Sequence, residues 1–165
     1  SGHPMAGREK KGYGYASKEV FKNANYILIE HPVNQKECIS FMERFVGTLG
    51  FKSVKIMSPQ AHDEIISFTS QLPHAIAVSL INSDNEKYET GKYIGDSYRD
   101  LTRIANINEN LWSELFLRNS DYLLASIEAF EEQLDLIKVA LKDNDERLLK
   151  DLFIKSSLRR EKLEK

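Results

Sequence analysis

The change of character at Ser58-Pro59 constrains this chain more than any other feature of its sequence. Ahead of it, residues 26–30 (YILIE) form a short β-prone run that reads as a buried strand. Asn34 then offers an N-cap, with Glu37 three residues on as an Asn-x-x-Glu variant of the capping box. Ile39, Phe41, Met42, Phe45, Val46 and Leu49 follow at helical spacing until Gly50 stops the helix. Residues 51–57 alternate as a second strand, so strand, helix and strand together have the size of a βαβ crossover. Behind the break, serine caps, proline suits the first helical position, and the pattern stays helical to the end. Residues 62–81 read as one long apolar helix interrupted by Pro73, which predicts a kink over residues 69–73. A polar loop over 82–95 precedes helices over 97–105, 108–117, 120–141 and 145–163. The fold expected is mainly α: a short α/β segment over residues 1–57, followed by an all-α domain over 58–165.

Composition then removes several function classes. The net charge of −2 and the interleaving of acids with bases give no footprint for nucleic acid. The longest strongly apolar stretch, residues 75–81, is far too short to span a bilayer, and residues 1–15 are too polar for a secretory signal. Cys38 is the only cysteine, which excludes an internal disulfide and suits a reducing, cytoplasmic setting. On its helix Cys38 reads as a small buried apolar group. The stripe Leu123, Ile127, Phe130, Leu134, Ile137 and Leu141, with Leu148, Leu152 and Phe153, is hard to cover within one copy. It predicts a two-fold homodimer through residues 60–82 and the C-terminal helices.

The residues able to carry chemistry are few. His3, in His3-Pro4-Met5-Ala6-Gly7, precedes a glycine-rich stretch and reads as lying on a loop beyond a strand. It is either a surface histidine near a chain end or a neutral imidazole able to take a proton from a hydroxyl near pH 7. Gly12-Tyr13-Gly14-Tyr15-Ala16-Ser17 imitates a dinucleotide fingerprint, with Glu30 downstream, but the charged run 8–11 stands where an apolar strand is required. His62 and His74 are twelve positions apart, far from the i, i+4 pair of a helical zinc site, so no metal is expected. His74 is open to two readings: a satisfied core histidine, or a pocket residue beside the carbonyl freed at the kink. Asp100 and Arg103 lie one helical turn apart. They read as a surface ion pair, or as an inward guanidinium seeking a carboxylate. Trp112 reads as core or interface.

Taken together, these residues resemble the prephenate dehydrogenase family. The likeness runs through His3-Pro4-Met5-Ala6-Gly7 with Glu9-Lys10 and Gly12, Phe21, Asn23-Ala24 and Leu28, and His62-Asp63. It continues through Leu72-Pro73-His74 and Asp100-Leu101-Thr102-Arg103-Ile104-Ala105 to Trp112, and beyond about residue 117 only the helical pattern matches. The resemblance implies that residues 1–57 are the last strands of a Rossmann-type dinucleotide-binding domain and 58–165 a helical substrate-binding and dimerisation domain. It implies an NAD- or NADP-dependent oxidative decarboxylation of prephenate to 4-hydroxyphenylpyruvate, in tyrosine biosynthesis. His3 would be the catalytic base, Arg103 would bind a substrate carboxylate, Glu9 and Asp100 would form an ionic network around it, and His74 would line the pocket. Arg8 stands where the family usually has a small hydroxyl residue, and Gln71 where it has a histidine. Both positions lie near the substrate, so prephenate and L-arogenate stay open. The nucleotide fingerprint and the family's catalytic serine are expected upstream of Ser1, and the chain alone is expected neither to bind NAD(P) nor to turn over. Two other readings compete: a non-catalytic helical dimerisation module, and a hydroxyacid-type dehydrogenase, which accounts for the helices but not for the HPMAG and DLTRIA runs together.

Overall fold

Strand β2 (Asn25–Ile29) is the centre of the small sheet, and its Ile27 and Leu28 are buried. In the computed structural model of the protein, which describes residues 1–7 and 12–163, β2 lies between β1 (Gly2–Met5) and β3 (Ser53–Met57). β2 and β3 run parallel, joined across helix α1 (Lys36–Thr48), as the strand-helix-strand spacing requires. Gly50 ends this crossover at φ +89°, a left-handed conformation that glycine adopts without strain. Val46 is the buried residue of α1, whereas Phe41 and Phe45 stack on each other at its exposed side.

Three local expectations give way. Asn34 does not cap α1. Its Oδ1 accepts from the His31 amide at 2.7 Å, closing a turn ahead of the helix, and Gln35 takes the N-cap position. Cys38 is exposed rather than buried. His3 lies in a strand, not on a loop: β1 pairs antiparallel with β2, placing His3 opposite Ile27 and Pro4 opposite Tyr26. Within this sheet β1 is an edge, so Pro4's missing N–H costs no ladder bond on its open side.

From Ser58 on, the chain is helical. The Ser58 hydroxyl accepts from the Ala61 amide at 3.2 Å, Pro59 sits at the helix start, and α2 covers Pro59–Ile66. Over the expected region of disturbance the backbone widens into a π-helical turn, Ser67–Gln71, and then resumes as α3 (Leu72–Asn82). A wider turn is a physical answer to Pro73, which has no N–H to donate and whose ring crowds the preceding turn. Ser67 and Gln71, in this turn, are the buried polar residues of the described chain. After the polar loop come α4 (Asp96–Thr102), a short 3-10 turn at Arg103–Ala105 and α5 (Glu109–Arg118). The long helices α6 (Ser120–Lys142) and α7 (Glu146–Leu163) close the chain. Leu123 and Ala140 of α6 are buried with Ile66, Leu72 and Ala77, and the Ser126 hydroxyl meets that of Ser67 at 2.9 Å, tying α6 to the π turn. The architecture is therefore mainly α, with a short α/β segment leading into an all-α one.

Candidate active site

The antiparallel pairing of β1 carries His3 across the sheet to the first turn of α2, which follows directly from β3. There His3 Nδ1 lies 2.8 Å from His62 Nε2, with the two rings tilted and their centroids 5.1 Å apart. On its other side His62 Nδ1 meets Asp63 Oδ1 at 2.8 Å. His3 is half-buried, and its pKa lies below the ordinary imidazole value, first through desolvation and then through the electrostatic influence of neighbouring His62. Both causes favour the neutral ring, the form that accepts a proton.

A cleft of about 800 Å3 opens beside His3. It is lined by residues 3–7, by His74, Trp112 and Leu115, and by Arg103 with Ile104 just past α4. Ile66, Ser70 and Gln71 of α2 and the π turn complete it. His74 stacks on Trp112 with ring centroids 3.6 Å apart and 27° between planes, which makes a flat aromatic wall. His74 Nδ1 lies 2.8 Å from the Ser70 carbonyl, so this nitrogen carries the hydrogen and donates it to that oxygen. His74 thus lines the cleft beside the π turn.

Gln71 is buried and fully engaged. Its Nε2 donates to the Leu115 carbonyl at 3.1 Å, and its Oε1 accepts from Asn119 Nδ2 at 2.9 Å. Asn119 Nδ2 also donates to the Asp63 carbonyl at 2.9 Å, so one amide braces both the cleft wall and the residue behind His62. Gln71 and Asn119 carry no sequence signal of this role, because their partners lie 44 to 56 positions away.

Of the residues singled out from sequence, the structure brings His3, His74 and Arg103 to one cleft. Asp100 is exposed on α4 and does not line it. Glu9 lies outside the described residues. His62 and Trp112 were legible as residues but not as parts of a site. Gly12 to Ser17 forms a 3-10 turn over Tyr13–Tyr15, and a second short one follows over Lys18–Phe21. This is not the strand, turn and long helix that present backbone amides to a pyrophosphate. Among the described residues no cluster of histidine, cysteine or carboxylate side chains suits a metal ion, and no helix is long and apolar enough to cross a membrane.

Comparison with known proteins gives the same outline. A family profile described as prephenate dehydrogenase, dimerization domain, matches residues 58–155, and one described as prephenate dehydrogenase, nucleotide-binding domain, matches residues 1–55. The chain is similar to the prephenate dehydrogenase of Bacillus subtilis, at 30% identity over 148 residues, 87% of this chain and 40% of that protein. It is also similar to the cyclohexadienyl dehydrogenase of Zymomonas mobilis, at 28% identity over 159 residues, 93% of this chain and 54% of that one. Among solved structures it superposes on the prephenate dehydrogenase from A. aeolicus in complex with hydroxyphenyl propionate and NAD+. That match has a TM-score of 0.83 and 31% identity, over 97% of this chain and 57% of the other. The chain thus spans from two fifths to a little over half the length of these relatives.

Proposed function

The chain belongs to the prephenate dehydrogenase family, and from that premise we propose that its cleft binds prephenate, or its amino analogue L-arogenate, for NAD(P)-dependent oxidative decarboxylation to an aromatic product of tyrosine biosynthesis. The observation that carries the reading is the meeting of a neutral-favouring imidazole, an aromatic wall and a guanidinium in one cleft: His3, His74 on Trp112, and Arg103. A cyclohexadiene ring with a secondary hydroxyl and carboxylates asks for these three things. The Trp112–His74 face offers a flat surface for the ring, and Arg103 offers a planar cation for a carboxylate.

The chemistry of this chain's own residues is proton handling. His3 Nε2 takes the proton of the ring hydroxyl as its carbon is oxidised. The bond to the ring carboxylate then breaks, its electron pair enters the ring, and carbon dioxide leaves. The oxygen, now phenolic, takes the proton back from His3. The hydride of that carbon goes to NAD or NADP. We assign the pyrophosphate seat to parts of the relatives that this chain does not span, since Tyr13–Tyr15 and Lys18–Phe21 are short 3-10 turns. The chain by itself is therefore read as inactive.

The same family assignment supports a homodimer. Phe68, at 60% exposure, and Phe153 and Ile154 of α7 leave apolar surface that a second copy can cover.

Trp112 is the only tryptophan and stands in the cleft, so its fluorescence reports occupancy. Titration of this chain with 4-hydroxyphenylpropionate, the ligand class present in the A. aeolicus relative, should change that fluorescence saturably. Arg103→Ala should weaken binding by roughly 10- to 100-fold, the scale of one hydrogen bond to a charged group. Saturable binding that Arg103→Ala leaves unchanged would remove Arg103 from the site, and the absence of any response would remove the proposed cleft.

A further inference from the structure

We propose that His62 and Asp63 are positioning residues for His3, forming an Asp63–His62–His3 chain that fixes the His3 tautomer and turns its bare Nε2 to the cleft. The proposal rests on His3 acting as base in the reading above, but the chain of hydrogen bonds stands on geometry alone. Two contacts define it: Asp63 Oδ1 to His62 Nδ1 at 2.8 Å, and His62 Nε2 to His3 Nδ1 at 2.8 Å.

The direction of each bond follows from counting protons. An ionised carboxylate only accepts, so the hydrogen between Asp63 and His62 sits on His62 Nδ1. A neutral imidazole has one donor and one acceptor, so His62 Nε2 is a lone pair. The nitrogen facing it must then donate, which puts the second ring's hydrogen on His3 Nδ1. Its Nε2 is left unprotonated, on the side of the ring away from His62. Any other neutral arrangement sets two hydrogens or two lone pairs against each other at 2.8 Å. A free imidazole leaves both tautomers open, and the tautomer with hydrogen on Nε2 cannot accept a substrate proton there.

The same chain helps after the proton has moved. When the hydroxyl O–H bond breaks and the N–H bond forms at His3 Nε2, the ring becomes an imidazolium. Its Nδ1–H already points at His62, whose far side faces a carboxylate. The positive charge is thus spread toward Asp63 without any group having to rotate. Among the described residues, the charged or titratable groups near His3 are His62 from α2 and, in the lining of the same cleft, His74 and Arg103. The acceptor that His3 Nδ1–H needs is His62 Nε2: Arg103 has no lone pair to offer, and His74 is engaged with the Ser70 carbonyl and Trp112. The positions of the pair are themselves braced, because Asn119 Nδ2 holds the Asp63 carbonyl.

The test is the protonation state of each ring nitrogen in this chain, read by two-bond 15N–1H correlation on histidine-labelled protein at mildly alkaline pH. The expected result is hydrogen on Nδ1 and a bare Nε2 for both His3 and His62. Asp63→Asn should shift His3 toward the tautomer mixture of a free imidazole, and Asp63→Glu should restore the original pattern. Asp63 is 52% exposed, so neither variant disturbs the core, and circular dichroism checks the helices. Hydrogen on His3 Nε2 in the unsubstituted chain overturns the proposal without any variant, as does a His3 tautomer indifferent to Asp63→Asn. Adding 4-hydroxyphenylpropionate separates the two readings. With the tautomers as stated, a His3 Nε2 resonance that the phenol never perturbs counts against His3 as the base and leaves the positioning chain standing.

Discussion

Asn119 offers the sharpest stability test, because one side-chain amide satisfies two distant acceptors. Its Nδ2 donates to the Asp63 carbonyl and to Gln71 Oε1, each at 2.9 Å, and Gln71 is only 4% exposed. Asn119 is also the residue preceding α6, but its side chain makes no capping bond there, so truncation removes only these two contacts. Asn119→Ala leaves Gln71 Oε1 without its partner. The cost of an orphaned buried acceptor is about 1–3 kcal/mol. For a chain of this size each kcal/mol lowers the melting temperature by about 2–4 °C, which predicts a drop of roughly 2–12 °C. The assay is thermal unfolding by circular dichroism, repeated in the Gln71→Leu background. There the acceptor is already gone, so Asn119→Ala should cost measurably less, and the difference is the coupling energy of the pair. Equal losses in both backgrounds would refute the reasoning, since the amide would then matter only through Asp63 or through the space it fills.

Three further outcomes follow from the same structure. The His3 pKa is lowered by burial and by His62, so the unfolded chain binds the proton more readily. This contribution is full above the unfolded value of about 6.5 and is lost as pH falls through the lower folded value. The melting temperature should therefore fall more steeply as pH drops from about 6.5 toward the lower folded value in the unsubstituted chain than in His3→Gln, and parallel profiles would contradict the assigned cause. Light scattering at roughly tens of micromolar should give twice the 19.0 kDa chain mass, and Phe153→Glu with Ile154→Glu should yield monomers; a monomer before substitution removes the dimer. Calorimetric titration with NAD+ or NADP+ should show no micromolar binding, and a clear heat would mean that Gly12 to Ser17 seats a phosphate after all.

What was legible in the sequence is what repeats locally. Helices over 120–141 and 145–163 were expected and Ser120–Lys142 and Glu146–Leu163 are found, because an apolar stripe at helical period is written within the helix itself. The crossover from β2 through α1 to β3 was equally plain. Strand β1 was not. Gly2, His3, Pro4 and Met5 have no β-prone pattern, and they are extended because β2 supplies a ladder for them. The π turn was also hidden. Pro73 announced a disturbance, but a widened turn has no period of its own in the sequence. Whether the backbone bends or widens is decided by what packs on it, here Ser126 against Ser67 and Asn119 against Gln71.

The site itself was legible as a set of residues and not as a geometry. Spacing along the chain led to a comparison of His62 with His74, twelve positions apart. The partner of His62 is His3, 59 positions away, and no spacing rule connects them. Their meeting depends on the register of β1 on β2, Gly2 opposite Leu28 and His3 opposite Ile27. A slip of one residue would turn His3 to the other face of the sheet, because side chains alternate along a strand. It would break the contact to His62 and take His3 out of the cleft together. The Ser58 cap matters for the same reason: it fixes where α2 begins, and hence that His62, in its first turn, stands over β1. The sheet segment and the helical segment thus share one contact, His3 with His62, which neither contains alone. The histidine that would take the proton belongs to the first, and the pair that orients it opens the second.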